Sequence, residues 1–309
     1  MKGTRVLVTG GTGFLGRRVC ADLAAAGAEV AVVARRAPPR GFPHRFLALD
    51  LSTAGVADVV ALLERERPDV VVNATGSIWG LDDQRMRAMC TTPVLLLVEA
   101  LAALGRGTRL VHLGTVLEYG PLPPGSWTRP GALPRPTTSH GKAKYEATRA
   151  VLTAAEAGSL DASVLRIANI VGPGTPPVSL LGTVADQLAN FPGGAGEARV
   201  ELSPLVARRD YVDVRDVSGA VLVAAHRGTH GQVVDIGRGE AVPVRRMVEM
   251  LIRVSGVPAR VVERPGRSPA ADDWIRVDPG PARDVLGWTA RRPLTRSVRD
   301  LWNTLVQGR

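Results

Sequence analysis

The chain has 309 residues, of which 45% are hydrophobic and 4% aromatic, and its formal net charge is +10. This length and hydrophobic content are enough for a substantial core, so we expect one nucleotide-binding domain and a smaller appended one. The charge comes from scattered arginines, since only Lys2, Lys142 and Lys144 are lysines. With few aromatic side chains to stack on bases, the composition argues against nucleic-acid binding.

A predicted strand and a glycine-rich turn open the chain. Residues 5–10 form an apolar, β-branched run typical of a buried strand, and residues 14–26 have helical periodicity that ends at Gly27. Between them, TGGTGFLG has the spacing G-x-x-G-x-x-G, which lets the backbone approach a pyrophosphate at the helix N-terminus. A plain glycine-rich turn is the alternative. The order strand, loop, helix favours a dinucleotide site made by Gly10, Thr12, Gly13, Phe14, Leu15 and Gly16.

The second predicted strand, residues 29–33, ends in Ala34-Arg35-Arg36, where a site for NAD would have an acidic residue against the ribose 2′-hydroxyl. The planar guanidinium of arginine suits a 2′-phosphate, so we predict NADP(H) as the cofactor. Two solvated arginines are the alternative. Further cofactor contacts are expected after the third and fourth strands (residues 46–49 and 69–72), from Asp50, Leu51, Ala74 and Thr75.

Strands and helices continue to alternate along the chain. Helices are predicted at 53–67, 84–104, 142–157, 178–190, 244–255 and 294–306, and strands at 109–113 and 163–167. Residues 121–136 are rich in proline and glycine and are predicted to form an irregular loop, and 173–204 a lid over the substrate. The alternation predicts a parallel sheet covered on both faces, which binds ligands at the carboxyl ends of its strands.

Cys20 and Cys90 are isolated and lack the spacing of metal ligands, so we expect buried thiols in a reducing compartment and no metal site. The longest apolar stretch, residues 94–104, is interrupted by Glu99 and is too short to span a bilayer. These observations predict a cytoplasmic protein without a membrane partner.

Several motifs together resemble the extended short-chain dehydrogenase/reductase family, which includes nucleotide-sugar epimerases, dehydratases and 4-ketoreductases. The motifs are TGGTGFLG, Asp50-Leu51, HLGTVLEYG (112–120), RIANIVGPG (166–174), RDYVDVRD (209–216) and LGW (286–288). The resemblance implies an α/β fold, a Rossmann-type doubly wound parallel sheet with a smaller C-terminal α/β substrate domain. Residues 1–168, with 211–236 returning to them, would form the NADP-binding domain, and 169–210 and 237–309 the substrate-binding subdomain. The protein would be a monomer or homodimer.

The resemblance also implies catalytic residues, a Ser/Thr, a Tyr and a Lys. Thr115 matches the first and Lys144 the last, but His140 occupies the tyrosine position, four residues before the lysine. Residues i and i+4 share one face of a helix, whereas Tyr145 points about 100° away from Lys144. Asn169 and Arg209 match the family's nucleotide-sugar contacts. Trp79, near the expected pocket mouth, is a candidate for stacking on a substrate, with a packing role as the alternative.

Histidine at position 140 changes the expected proton chemistry. Positive neighbours disfavour an imidazolium, and a neutral imidazole is a very weak acid. Losing a positioned acid would reduce the rate by a factor of about 10² to 10⁴. A ketone flanked by a phenolic hydroxyl carries its own hydrogen-bond donor to the oxygen that becomes the alkoxide. We therefore predict an NADPH-dependent ketoreductase of antibiotic biosynthesis that reduces an aromatic polyketide ketone, similar to atypical ketoreductases of the angucyclinone kind.

Two alternatives are open. In the first, His140 acts as the acid because a substrate diphosphate offsets the positive charges, and the protein is an NDP-4-keto-6-deoxyhexose reductase or epimerase; the retained Asn169 and Arg209 favour it. In the second, catalysis has been lost and the domain senses NADP or acts as a scaffold. The retained Lys144 argues against a loss of catalysis.

Overall fold

The computed structural model describes residues 1–38, 40–76, 80–129, 131–192, 196–229, 231–264 and 273–308. Its strands are β1 (Arg5–Thr9), β2 (Glu29–Ala34), β3 (Arg45–Ala48), β4 (Val70–Asn73), β5 (Arg109–Thr115), β6 (Ala162–Ile167), β7 (Asn169–Val171), β8 (Ala198–Leu202), β9 (Arg208–Arg209), β10 (Tyr211–Asp213), β11 (Val233–Ile236), β12 (Val242–Pro243) and β13 (Ala259–Glu263). Its helices are α1 (Phe14–Ala25), α2 (Val56–Glu66), α3 (Asp83–Cys90), α4 (Thr92–Leu104), α5 (Ser139–Glu156), α6 (Leu180–Ala189), α7 (Val214–Arg227), α8 (Val244–Ser255), α9 (Gly280–Leu286) and α10 (Leu294–Gln307).

Seven of the strands form one parallel sheet in the order β11-β6-β5-β4-β1-β2-β3. The chain runs outward from β1 through β2 to β3 and then crosses to β4 on the other side. Both faces of the sheet are buried, since α1 and α7 contribute to the core on one face and α2, α4 and α5 to the core on the other. The predicted doubly wound, Rossmann-type fold is therefore confirmed, and its ligands are expected where the strand order reverses, between β1 and β4.

The segment predicted as one helix over 84–104 is two consecutive helices. They are separated at Thr91, whose hydroxyl donates to the carbonyl of Ala143 at 2.8 Å, and the second helix begins at Thr92 with Pro93 in its first turn. Proline fits the first helical turn because its missing N–H has no intrahelical partner there. Cys90, the last residue of α3, packs against Ala143 in the N-terminal half of α5.

Other helices also differ from the predictions: α2 begins three residues later than predicted, α5 begins earlier, and α7 and α9 were not predicted. Helix α5 begins at Ser139, three residues earlier than predicted, because Thr138 caps it by accepting a hydrogen bond from the N–H of Gly141 at 3.0 Å. His140 therefore lies in the first helical turn. Helix α7 was not predicted; Asp213 caps it, and it packs against α1.

The segment Asp83–Leu104 has 22 residues and contains an 18-residue window with a mean hydropathy of 1.6, so by length and composition it could cross a membrane. In this fold its apolar side chains, Leu97 and Leu101 among them, pack in the core beneath the sheet. Packing between the sheet and its neighbouring helices therefore accounts for its composition.

A second apolar core lies beyond the carboxyl ends of the sheet strands, formed mainly by α6, α8 and α10 with β8. Strand β7 pairs with β10, β9 with β12, and β8 with β13. Strand β11 returns to the edge of the main sheet beside β6. The described residues of the predicted lid over 173–204 therefore include a helix and a strand that belong to this core, whereas the described residues of 121–136 form neither helix nor strand, as predicted. The exact domain boundaries stay a prediction.

Candidate active site

The glycine-rich turn lies between β1 and α1, where the backbone is tightly folded. Gly10 has φ +72°, and a Cβ there would lie 2.6 Å from the carbonyl oxygen of Ala74. A Cβ on Gly16 would collide with the carbonyl oxygen of Gly10. Side chains are therefore excluded on steric grounds at both positions, which brings the turn against the end of β4 and leaves the helix N-terminus open to an anion.

A cavity of about 330 Å³, here called the cofactor cavity, extends from this turn over the ends of β2, β3 and β4. Residues predicted from the sequence to bind the cofactor line it: Gly10, Thr12, Gly13, Arg35, Arg36, Asp50, Leu51, Ala74 and Thr75. Arg35 and Arg36 are exposed, so their guanidinium groups are available to a phosphate. Partial burial opposes ionisation of Asp50, but hydrogen bonds from Ser52 and the charge of Arg35 hold the pKa of this carboxyl below its usual value.

A second cavity of about 510 Å³, the reaction cavity, shares Ala74, Thr75 and Gly76 with the first, so one elongated ligand can run through both. Its walls bring together residues from seven separate parts of the chain. The candidates Phe14, Leu15, Thr115, His140, Lys144, Asn169 and Arg209 all line it. None of the described residues in this lining is aspartate or glutamate.

Lys144 is 6% exposed and reaches from α5 to the sheet, where its ammonium donates to the carbonyl oxygens of Thr75 and Leu113, both at 2.8 Å. An ammonium group has three donors, so one is left for a ligand in the reaction cavity. Burial lowers the pKa of Lys144, while Cys90 and Glu118 oppose this by electrostatic attraction. The lysine thus introduces a positive charge at the floor of the cavity, beside the predicted cofactor path.

Thr115 ends β5, and its hydroxyl oxygen accepts from the N–H of Leu117 at 3.3 Å, so its proton can point into the cavity. The backbone N–H of Thr115 donates to Glu118 at 2.8 Å. Glu118 is fully buried and forms an ion pair with Arg166 at 2.8 Å. A buried charged pair that was not anticipated from the sequence therefore supports the strand end that carries Thr115.

His140 is half-buried in the first turn of α5, one helical turn before Lys144. The two side chains line the same cavity, as the spacing i, i+4 predicts. Its Nδ1 lies 3.8 Å from Sγ of Cys90, which is fully buried. From the sequence, Cys90 is an isolated core thiol, and its proximity to His140 follows from the packing of α3 against α5.

The chain has three tyrosines, and their positions decide whether a phenol replaces the missing one. Tyr119 is buried with its hydroxyl donating to Asp235 at 3.0 Å, and Tyr145 lies outside the described cavity lining. Tyr211 does line the reaction cavity and was not predicted as a site residue, although it lies within the motif 209–216, two residues after Arg209. Burial raises the pKa of Tyr211 to about 12, with Arg209 opposing the shift, which makes its phenol a weak acid.

Asn169, Arg209 and Tyr211 also line an outer cavity of about 530 Å³ that adjoins the reaction cavity. Tyr211 therefore lies at the junction of the two cavities, whereas Thr115, His140 and Lys144 line the inner one only. Arg209 is held in place by an ion pair with Asp273 and by a 2.7 Å hydrogen bond to its carbonyl. Trp79, the remaining substrate candidate, lies outside the described residues.

The buried histidine of β5 has a structural role, and no metal site accompanies it among the described residues. His112 is fully buried on β5, where its Nδ1 contacts the Asn73 amide at 3.0 Å; burial, together with Lys144 and Arg166, lowers the pKa of this histidine well below its usual value. Among the described residues, no group of three or more His, Cys, Asp or Glu side chains is arranged to hold a metal ion.

The fold and the two connected cavities define a class of protein. The chain belongs to the NAD dependent epimerase/dehydratase family, whose model matches residues 6–237. It is an NAD(P)-dependent oxidoreductase of this family.

Individual relatives are similar over nearly the whole chain. The chain is 46% identical over 301 residues to dTDP-6-deoxy-L-talose 4-dehydrogenase (NAD(P)(+)) of Kitasatospora kifunensis, with 96% of this chain and 94% of that protein covered. It is 25% identical over 312 residues to GDP-6-deoxy-D-mannose reductase of Pseudomonas aeruginosa, with 98% of each covered. The structure of RMD from Pseudomonas aeruginosa complexed with NADPH superposes with a TM-score of 0.82 at 24% identity, covering 99% of this chain and 98% of that one.

Proposed function

We propose that the protein reduces the C4 ketone of a dTDP-4-keto-6-deoxyhexose with NADPH, and catalyses the reverse oxidation with NADP⁺. The observation that carries the proposal is the division of the cavity lining. Thr115, His140 and Lys144 lie at the inner end, and Asn169 and Arg209 lie where the reaction cavity meets the outer one. The 4-keto sugar would lie at the inner end, the diphosphate beside Arg209, and the nucleoside in the outer cavity.

Charge favours an anionic substrate in this space. Lys144 and Arg209 contribute positive charges to the reaction cavity, and the described lining contains no carboxylate. The kinship at 46% identity with an enzyme named for a dTDP-linked 6-deoxysugar agrees with this reading. An aromatic polyketide ketone, which the missing tyrosine alone suggested, carries no diphosphate to match Arg209, so the sugar-nucleotide alternative fits better.

The same lining favours reduction over dehydration. Elimination of water across C5 and C6 of a 4-ketohexose needs a base for the C5 proton and an acid for the departing hydroxyl. Among the described residues of the reaction cavity, Lys144 already donates to two carbonyl oxygens and Tyr211 lies at the junction with the outer cavity, which leaves the imidazole of His140 as the acid–base group at the inner end. One imidazole suffices for transferring a single proton to the alkoxide that hydride transfer creates.

The preference for NADPH rests on the end of β2. Arg35 and Arg36 line the cofactor cavity and are exposed, and the acid of this region, Asp50, lies on the neighbouring strand end with Ser52 as its hydrogen-bond donor. Two guanidinium groups can neutralise a 2′-phosphate that a carboxylate would repel.

Turnover of chosen ketones tests the proposal. We expect the purified protein to oxidise NADPH rapidly with dTDP-4-keto-6-deoxyglucose and at least about 10²-fold more slowly with a hydroxylated polycyclic ketone, since only the former offers a diphosphate to Arg209. Loss of the NADPH absorbance measures both rates. A faster reaction with the polycycle would overturn the proposal, and a reaction with neither would support a role as an NADP sensor.

A further inference from the structure

The guanidinium of Arg209 is anchored at one end. Its Nη1 donates to the carbonyl oxygens of Arg208 at 3.2 Å and Asp273 at 2.7 Å, and its Nη2 forms an ion pair with the Asp273 carboxylate. Both terminal nitrogens therefore face Asp273. Arginine has five N–H donors in a rigid planar fork, so the Nε hydrogen and the second Nη2 hydrogen remain side by side along another edge, here called the open edge.

The open edge is available to a ligand. Among the described residues, the hydrogen-bond partners of the Arg209 side chain are three oxygens, all of Arg208 and Asp273. Arg209 lines the reaction cavity and the outer cavity, whereas Asp273 is in the described lining of neither. The carboxylate therefore lies behind the arginine as seen from the cavities. Two parallel N–H groups on the open edge match two oxygens of one phosphate.

The backbone holds Asp273 at this place. The N–H of Arg208 donates to the carbonyl of Asp273 at 2.9 Å, and the N–H of Ile275 donates to the carbonyl of Arg208 at 3.0 Å. Between them, the indole of Trp274 donates to the carbonyl of Ser126 at 2.9 Å. The residues on both sides of the ion pair are tied by these hydrogen bonds, so the protein itself fixes the position of the carboxylate.

Asp273 has two opposing effects on an anion at Arg209. Holding a long, flexible arginine in one conformation costs side-chain entropy, and a carboxylate that already fixes the guanidinium removes much of this cost from binding. The same carboxylate repels a phosphate. A phosphate on the open edge is closer to the guanidinium than to the carboxylate behind it, and both side chains keep some exposure to water, so the repulsion is the weaker effect.

We propose that Asp273 is a positioning residue that presents the open edge of Arg209 to one phosphate of the substrate's diphosphate. The inference rests on the proposed function, because a sugar nucleotide is the ligand that places a diphosphate at Arg209. Asp273 itself contacts neither substrate nor cofactor. The phosphate is bound by Nε and Nη2 of Arg209 in a bidentate geometry.

Binding of dTDP measures this role without turnover. We expect Asp273→Ala to raise the Kd for dTDP about tenfold in isothermal titration calorimetry with NADP⁺ present, because the guanidinium loses its anchor. Asp273→Asn keeps a carbonyl oxygen for Nη2 and removes the repulsion, so its Kd should equal that of wild type or be lower. The inference is overturned by Asp273→Ala binding dTDP as tightly as wild type or more tightly, and by Asp273→Asn binding it as weakly as Asp273→Ala.

A second background separates positioning from a general loss of structure. In an Arg209→Ala protein the carboxylate has no guanidinium to hold and only repels the phosphate. Adding Asp273→Ala to it should therefore lower the Kd for dTDP, which is the opposite sign to the effect of Asp273→Ala in wild type. A structural role would raise the Kd in both backgrounds, and that result would contradict the inference.

The matched control is Asp161→Ala. Asp161 pairs with Arg109 at 2.9 Å, their side chains are 28% and 21% exposed, and neither is in the described lining of the two cavities. This variant loses a comparably buried ion pair away from the site. Its Kd for dTDP should stay within about twofold of wild type.

Turnover distinguishes this inference from the substrate assignment. The Asp273→Ala enzyme should show the same tenfold rise in the KM for dTDP-4-keto-6-deoxyglucose, a smaller change in kcat and an unchanged KM for NADPH, because Thr115 and His140 line the inner cavity only. Wild-type protein that binds dTDP but does not reduce the sugar nucleotide would contradict the proposed function, while the Kd values still decide the role of Asp273. A Kd for dTDP that Arg209→Ala leaves unchanged would overturn both.

Discussion

His140→Phe is expected to lower kcat for reduction of the sugar nucleotide by a factor of about 10² to 10⁴, because it removes the group that delivers the proton. Phenylalanine keeps a planar ring at the N-terminus of α5 but cannot donate to the alkoxide. Asn169 and Arg209, at the far end of the reaction cavity, are untouched, so KM should change little. Steady-state kinetics with NADPH measure both quantities, and single-turnover measurements separate chemistry from product release.

Two further variants make this result specific. His226→Phe makes the same substitution at an exposed histidine that lines neither cavity, and kcat should be retained. Tyr211→Phe removes the one phenol in the reaction cavity and should raise KM more than it lowers kcat, because Tyr211 lies at the junction with the outer cavity. A His140→Phe enzyme with most of its activity would mean that the substrate protonates itself. A thousandfold loss in Tyr211→Phe would transfer the role of donor to that tyrosine.

Glu118→Gln is expected to lower the free energy of unfolding by about 3 kcal/mol, the lower limit for breaking a buried ion pair by removing one partner. Glu118 is fully buried and accepts from Arg166, Thr148 and the backbone of Thr115. Without its charge, the guanidinium of Arg166 stays buried and uncompensated, close to the ring of Tyr119 at 4.7 Å. Urea unfolding followed by circular dichroism measures the change.

The control for this effect is an ion pair at the surface. Glu146 pairs with Arg87 at 2.6 Å, and their side chains are 44% and 56% exposed. Glu146→Gln should change the free energy of unfolding by less than about 1 kcal/mol, because water screens exposed pairs. Equal decreases in the free energy of unfolding of the two variants would show that burial does not increase the contribution of the Glu118–Arg166 pair to stability.

The cofactor half of the site could be predicted from the sequence because its residues follow one another closely along the chain. A glycine-rich turn between a strand and a helix can be recognised from the local spacing of its glycines. Gly10 and Gly16 occupy positions where a side chain cannot fit. His140 and Lys144 line the same cavity because one helical turn separates them, which the spacing i, i+4 predicts even though the predicted helix begins three residues too late.

The rest of the site depends on contacts between distant segments. Cys90 and His140 are 50 positions apart and meet because α3 packs against α5, a contact that local spacing does not encode. Glu118 and Arg166 pair across neighbouring strand ends, and Tyr211 reaches the cavity through β10 pairing with β7. The missing tyrosine alone favoured an aromatic polyketide as the substrate. The cavity that Asn169 and Arg209 line together favours a substrate with a diphosphate instead.

The fate of the hydride tests the central claim most directly. NADPH carrying deuterium at the transferred position is mixed with enzyme and dTDP-4-keto-6-deoxyglucose, and the sugar product is analysed by mass spectrometry and NMR. Direct reduction through the reaction cavity predicts a single deuterium on C4 of a 6-deoxyhexose, with none at C3 or C5. A product without deuterium at C4, or one whose carbon-bound hydrogens have exchanged with solvent at C5, would contradict the account.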